Sequence, residues 1–389
     1  MPRKERMDDT KPVATAPEYG VEPGLRFACR LDGNGGSTNL DWSGVTRWQG
    51  GDGVLWIHLE REDPATAQWL RCSAGIDPVI ADALLAEESR PRVEGIEDGL
   101  LIVLRGICVV IPGHETEISH ENNLVPLHLW AEGDRIISVR DKNLFLTALR
   151  DIRQSLERGK GPRQSGELLV QIADKVVRDL EPLLDDMDEE VDRLEEKLFD
   201  ANDREVRQHL IRSADDHFQC PPTVKPGRSM PKALIERVIR TKPSGAVRIS
   251  RLRRRAVHLR RYLAPQREAL NRLDHEDPDW LTERDKVRLR EVTDKVVRFV
   301  EYLDAIRDRA SILHDDLSAL ISERIARNSH RLAALAALLL PPSLIAGVFG
   351  MNVGGVPGST LPWAFVGVCG FLAVLSLGVL WILYRIGWL

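Results

Sequence analysis

Apolar positions change their rhythm three times along this chain. From Leu25 to about Arg150 they come in short runs rich in Val, Ile, Leu and Trp, punctuated by Gly, Pro and Asp. That is the pattern of a mixed sheet. Arg26–Asp32, Leu55–Glu60, Leu100–Ile111 and Val125–Val139 are expected as strands. Pro64–Ala74 and Pro78–Glu87 are expected as short helices, each opened by a proline whose missing N–H is tolerated in a first turn. From Gly166 to about Leu210 the spacing becomes three and four. Leu168, Ile172, Val176, Leu180, Leu183, Met187, Val191, Leu194 and Leu198 fall on one face of one long helix. A second helix is expected over Ser250–Leu273, and a third can run unbroken from Thr282 to Phe349, roughly 105 Å at 1.5 Å per residue. Asp279 or Thr282 can cap it.

The last pattern is continuous. Leu332–Phe349 and Trp363–Tyr384 carry no charge, and each reaches the roughly 18–20 residues that a helix needs to cross a bilayer core. Two such runs in tandem predict a transmembrane hairpin. Arg324, Arg327 and Arg331 precede the first span, Arg385 follows the second, and the loop between them has no Lys or Arg. The positive-inside rule then places both termini in the cytoplasm and the loop outside, in a multi-pass inner-membrane protein. Two helices cannot enclose a hydrated path alone, so a conducting hairpin requires several copies of the chain. Ser329, Ala333, Ala336, Leu340, Ser343 and Gly347 lie on one face of the first span and are the candidate pore lining. Small residues also let membrane helices pack closely, so the stripe alone does not separate pore from packing. Pro341-Pro342 removes two backbone donors in mid-span and is expected to kink the helix.

The loop carries the specific signal. Gly350-Met351-Asn352 directly after the first span, continued by Val353-Gly354-Gly355-Val356-Pro357, resembles the signature of the CorA family of divalent-cation transporters, most closely its ZntB branch. Arg90-Pro91-Arg92-Val93-Glu94, Gly99–Arg105, Val125–Leu129 and Arg135–Arg140 resemble the cytoplasmic domain of the same family, so the resemblance covers nearly the whole chain. It implies an α+β cytoplasmic domain followed by long stalk helices and a two-helix transmembrane hairpin, assembled as a CorA-like homo-oligomeric funnel, a pentamer. It also implies that Gly350, Met351 and Asn352 form the ion entrance. An Asn ring offers neutral oxygens able to hold a cation through its waters, and Mg²⁺ gives up water reluctantly. The loop has no acidic residue, whereas magnesium members often carry some, which favours Zn²⁺ over Mg²⁺, Co²⁺ or Ni²⁺.

The remaining sequence refines that picture. Residues 1–24 are polar and proline-bearing and are expected as a disordered tail, with a cytoplasmic α/β domain over 25–150, a helical stalk over 151–331 and the hairpin over 332–389, its outward loop at 350–361. The net charge of −5 over 389 residues argues for no nucleic-acid partner. Five cysteines without a CxxC pair fit a reducing compartment. Between Asp174 and Glu205 there are 14 acidic and 5 basic residues, best read as a solvated face set against the arginines of the Ser250–Leu273 helix. Five prolines break about 211–249 into an expected insertion.

His114, Glu115, Glu117, His120 and Glu121 could ligate a metal, as could Asp277 in its acidic turn. A solvated loop and a helix cap are the favoured readings there. No catalytic triad, nucleotide-binding loop or cofactor motif occurs, which argues against an enzyme and against an ATP-driven pump. Transport would follow the ion gradient, the membrane potential or coupled protons. The rival reading is a membrane-tethered metal sensor or scaffold whose hairpin is a passive anchor.

Overall fold

A computed structural model of the chain describes residues 22–87, 90–109, 124–141, 145–199, 245–350 and 363–385. The expected tail to residue 21, the candidate ligands His114 and His120, the expected insertion up to residue 244, and the loop residues Met351 and Asn352 lie outside the described residues. The chain divides into two units, one of Met1–Arg193 with Arg251–Ala310 and one of Leu194–Ser250 with Ser311–Leu389.

The first unit is built on an eight-stranded sheet. Its strands are β1 (Leu25–Leu31), β2 (Ser37–Leu40), β3 (Leu55–Glu60), β4 (Arg92–Ile96), β5 (Gly99–Val109), β6 (Leu124–Ala131), β7 (Arg135–Arg140) and β8 (Phe145–Leu146). The order is β2-β1-β3-β7-β6-β5-β4, with β8 on β5. Only β3 and β7 run parallel, His58 opposite Ser138 and Glu60 opposite Arg140; the other pairs are antiparallel. Every residue of β3 and β6 is buried, which is why these strands read as apolar runs rather than alternating ones. The expected single strand Val125–Val139 is two. Glu132-Gly133-Asp134 reverses the chain, and Arg135 holds the turn by pairing with Glu132 at 2.8 Å and donating to the Ala74 carbonyl at 2.7 Å.

Short helices α1 (Trp42–Arg47), α2 (Pro64–Cys72) and α3 (Pro78–Leu84) begin on aspartates. Asp41, Asp63 and Asp77 accept from the N–H groups of Gly44, Ala65 and Val79 at 2.7, 2.9 and 2.7 Å. From α2 and the segment that follows it, Leu70 and Ala74, and from α3, Ile80, Ala81 and Leu84, close the core over Leu55, Ile57, Leu59, Ile137 and Val139. Helices α4 (Thr147–Glu157) and α5 (Ser165–Arg178) follow the sheet. Gly106 of β5 lets α5 approach closely: a Cβ there would lie 3.3 Å from Val176 and 2.9 Å from Leu146. At Gly99 a Cβ would run into the Trp130 ring, so no side chain fits.

The single helix expected from Gly166 to Leu210 is also two, α5 and α6 (Glu181–Phe199). Pro182 cannot donate to residue 178 and crowds its carbonyl, so the chain tightens at Asp179-Leu180 and restarts. The three-residue bonds Leu180 N–H to Val177 O and Leu183 N–H to Leu180 O mark that restart, at 3.1 and 3.2 Å. Next comes α7 (Gly245–Glu276), which starts five residues earlier than the expected Ser250, so its first turn belongs to the stretch read as an insertion. The long helix α8 (Glu283–Phe349) is continuous through Pro341 and Pro342, and α9 (Ala364–Arg385) closes the described chain. Within the first unit α8 receives charges from its neighbours: Arg309 binds Asp188 at 2.8 Å and Asp192, Lys295 binds Asp174 at 3.0 Å, and Asp304 binds Arg260 of α7 at 2.7 Å. The acidic face of α6 is thus set partly against α8, a partner the sequence reading did not name.

Candidate ion path and its surroundings

Among the described residues, α8 and α9 are the two helices long and apolar enough to cross a membrane. Their side chains are largely uncovered: Leu340 is 66 % exposed, Phe365 78 % and Trp381 60 %. Large apolar surface of that extent needs lipid or another protein against it. Ser329, Ala333, Ala336, Leu340, Ser343 and Gly347 are all exposed, so among the described residues nothing covers the small-residue face. A Cβ on Gly347 would meet no atom within 4 Å. Gly350 ends α8, its N–H donating to the Ala346 carbonyl at 2.9 Å. The candidate entrance residues Met351 and Asn352 come next in the chain, outside the described residues.

Residues 332–349 contain no His, Cys, Asp, Glu, Lys or Arg, so the first span offers no side chain able to bind zinc directly. Charge stops just before it. Arg327 pairs with Glu323 at 2.8 Å, and Arg331 is the last charged residue before the span. After the second span Arg385 sits over the Trp381 ring at 5.2 Å, an aromatic and a cation placed as at a membrane interface.

Asp277, the described metal candidate, lies in the turn between α7 and α8 with a left-handed φ of 42°. Its carboxylate binds Lys286, which also binds Glu283 at 2.7 Å. The hydrogen bonds that Lys286 donates to Asp277 and then Glu283 raise its ammonium above its ordinary range. Asp274 binds Arg290 at 3.0 Å. The acidic turn is therefore neutralised by α8, and among the described residues no group of three or more His, Cys, Asp or Glu is placed to hold a metal. The cap is Thr282, whose hydroxyl accepts from the Asp285 N–H at 3.2 Å while the Asp285 carboxylate accepts from the Thr282 N–H at 3.3 Å.

The sheet holds a polar cluster that the sequence reading missed. Trp56 Nε1 donates to Ser138 Oγ at 3.1 Å, and His58 Nδ1 lies 2.9 Å from the same oxygen. Ser138 Oγ donates to the Ile57 carbonyl at 3.0 Å, which makes His58 Nδ1 a donor to it. Burial, then Arg140 and Arg26, push His58 well below its usual value, so the ring is neutral. Beside it Arg26 pairs with Glu60 at 3.3 Å. The signal was present as an alternation: Trp56, His58 and Glu60 on one strand, Ser138 and Arg140 on its parallel neighbour.

Comparison with known proteins places these features. The family model of the CorA-like Mg2+ transporter protein matches residues 51–216 and 232–385. A zinc transport protein ZntB of Pectobacterium carotovorum is 31 % identical over 366 residues, 94 % of this chain and 96 % of that protein. The divalent cation transporter CmaX of Pseudomonas aeruginosa is 31 % identical over 375 residues, 96 % of this chain and 99 % of that protein. The structure of full-length CmaX superposes with a TM-score of 0.70 at 30 % identity, covering 95 % of this chain and all of the other. With β3 to β8, the long helix α8 and the apolar helix α9 inside the matched residues, the chain belongs to the CorA-like family of metal-ion transporters.

Proposed function

We propose that this chain is one subunit of a homo-oligomer, a pentamer, that carries divalent cations across the inner membrane, Zn²⁺ ahead of Mg²⁺, Co²⁺ and Ni²⁺. The observation that carries the reading is the pair of uncovered apolar helices joined through Gly350-Met351-Asn352 in a chain of this family. One hairpin cannot surround water, and the exposed Ser329–Gly347 face supplies small side chains for several copies to line a common path. The relatives named as zinc and divalent-cation transporters support the choice of cargo.

The chemistry follows from what the first span lacks. With no charged or ligating side chain along it, the ion moves with much of its water, and the carbonyl oxygens of Gly350 and Met351 with the Asn352 amide receive it through that water. Both termini face the cytoplasm, and an inside-negative potential of 100 mV draws each positive charge inward by about 2.3 kcal/mol. We assign no transport role to Asp277, whose carboxylate Lys286 already holds.

Purified protein in liposomes loaded with a zinc-sensing dye tests the reading, with and without an imposed pH gradient. Zinc entry faster than that of the other three cations is expected. Intact oligomer that passes none of the four would favour the tethered sensor instead.

A further inference from the structure

Two helices of the first unit present solvent-facing stripes of opposite charge. On α7, Arg253, Arg254 and Arg261 are exposed, with Val257, half exposed, between them. Their spacing of three, four and seven or eight residues keeps them on the side of α7 opposite its buried Leu252, Ala256, Leu259 and Leu263. On α6, Asp185, Asp186 and Glu189 are exposed opposite the buried Leu184, Met187 and Val191. None of the three arginines forms an ion pair among the described residues, and neither does Asp185 or Asp186; Glu189 meets only Arg193 of its own helix, at 3.5 Å.

Each stripe works against its own helix. Like charges three and four residues apart repel, and nothing within either stripe relieves that repulsion fully. The two stripes would relieve each other, yet each faces outward from its own chain. A face on one side of a subunit that fits a different face on another copy is a head-to-tail contact, the kind that builds a ring when the rotation between copies closes.

We propose that the arginine stripe of α7 docks on the acidic stripe of α6 from a second copy of this chain. The inference rests on the self-association proposed above and adds which faces meet. Exposed ion pairs are individually weak and screened by salt, so the stripes select register and neighbour, while apolar surface elsewhere holds the assembly. Val257 supplies an apolar contact at the centre of the basic stripe.

Charge reversal tests this between chains. One variant carries Arg254→Glu with Arg261→Glu; the other carries Asp185→Lys with Asp186→Lys. All four positions are exposed, so both variants should keep the wild-type melting temperature. At 100 mM salt each alone should need roughly tenfold more protein to assemble in mild detergent. Co-produced with different tags, the two should assemble together at a lower concentration than either alone, because every contact between unlike variants restores opposite charge and a ring of five keeps as few as one contact between like variants. A repulsion inside one chain would not be relieved by mixing. Wild-type assembly of either variant alone would overturn the proposal, as would two defects that mixing does not repair. An arginine variant that fails while the lysine variant assembles normally would overturn it too, in favour of another anionic partner for α7. Wild-type protein that is monomeric at every salt concentration would instead strike the self-association reading itself.

Discussion

At the scale of single residues, the sheet domain holds neutral histidines where charge would be costly. His128 is fully buried, and burial together with Arg61, Arg92 and Arg105 lowers it from 6.5 to about 4. Between those values the unfolded chain binds a proton that the folded one does not, so stability rises with pH across that window and is lost as pH falls from about 6.5 toward 4. The contribution is on the order of 3 kcal/mol at its limit, given about 1.4 kcal/mol per pKa unit. Urea titrations at pH 7.0, 5.5 and 4.5 should show the decline, and His128→Gln should make it shallower while His58 keeps its share; an unchanged slope in that variant would assign the pH dependence elsewhere. A second buried residue closes the sheet. Beyond the reach of β4, the Arg105 N–H donates to Gln266 Oε1 of α7 at 2.8 Å. Gln266→Leu strands that donor and should cost about 1–3 kcal/mol, read as a lower urea midpoint. Neither His128 nor Gln266 could be picked out beforehand, because their roles depend on partners far along the chain.

At the scale of elements, the sequence is most informative where the local pattern is uncontested. The prolines after Asp63 and Asp77 announce α2 and α3, and the long apolar period announces α8. The errors have one cause in common: a strong periodicity was read through a local breaker. Pro182 split the expected Gly166–Leu210 helix, and Glu132-Gly133-Asp134 split the expected Val125–Val139 strand. Pro265, Pro341 and Pro342, by contrast, stay inside helices, so proline alone does not decide. Short strands such as β2 and β8 are fixed by pairing rather than by their own composition, and so are not legible in the sequence. Thr282 was one of two named caps, and it is the one that forms the reciprocal bonds with Asp285. Thr282→Ala should lower stability by about 1 kcal/mol, measured as a shift in the urea midpoint with the oligomer unchanged, whereas Asp279→Ala should have no comparable effect.

At the scale of the whole molecule, the membrane-spanning end was the easiest part to read, since two long uncharged runs admit few alternatives. Its loop motif then led to the family, and the match across both parts of the chain agrees. The proposed orientation rests on the basic residues that flank the spans, Arg324, Arg327 and Arg331 before the first and Arg385 after the second. A cysteine placed at Ser359 should react with a membrane-impermeant reagent added outside intact cells, while one added after Leu389 should react only after permeabilisation; the reverse pattern would invert the topology.

The proposed ring of Asn352 side chains at the mouth is tested by zinc flux through Asn352→Ala oligomers in dye-loaded liposomes. Alanine removes the only side-chain amide between the two spans and leaves the apolar helices untouched. Intact assembly is expected, with zinc flux reduced to the level of empty liposomes, and Asn352→Asp should bind zinc at the mouth yet release it slowly, because conduction needs sites an ion can leave. Wild-type flux through intact Asn352→Ala oligomers would contradict the proposed ring.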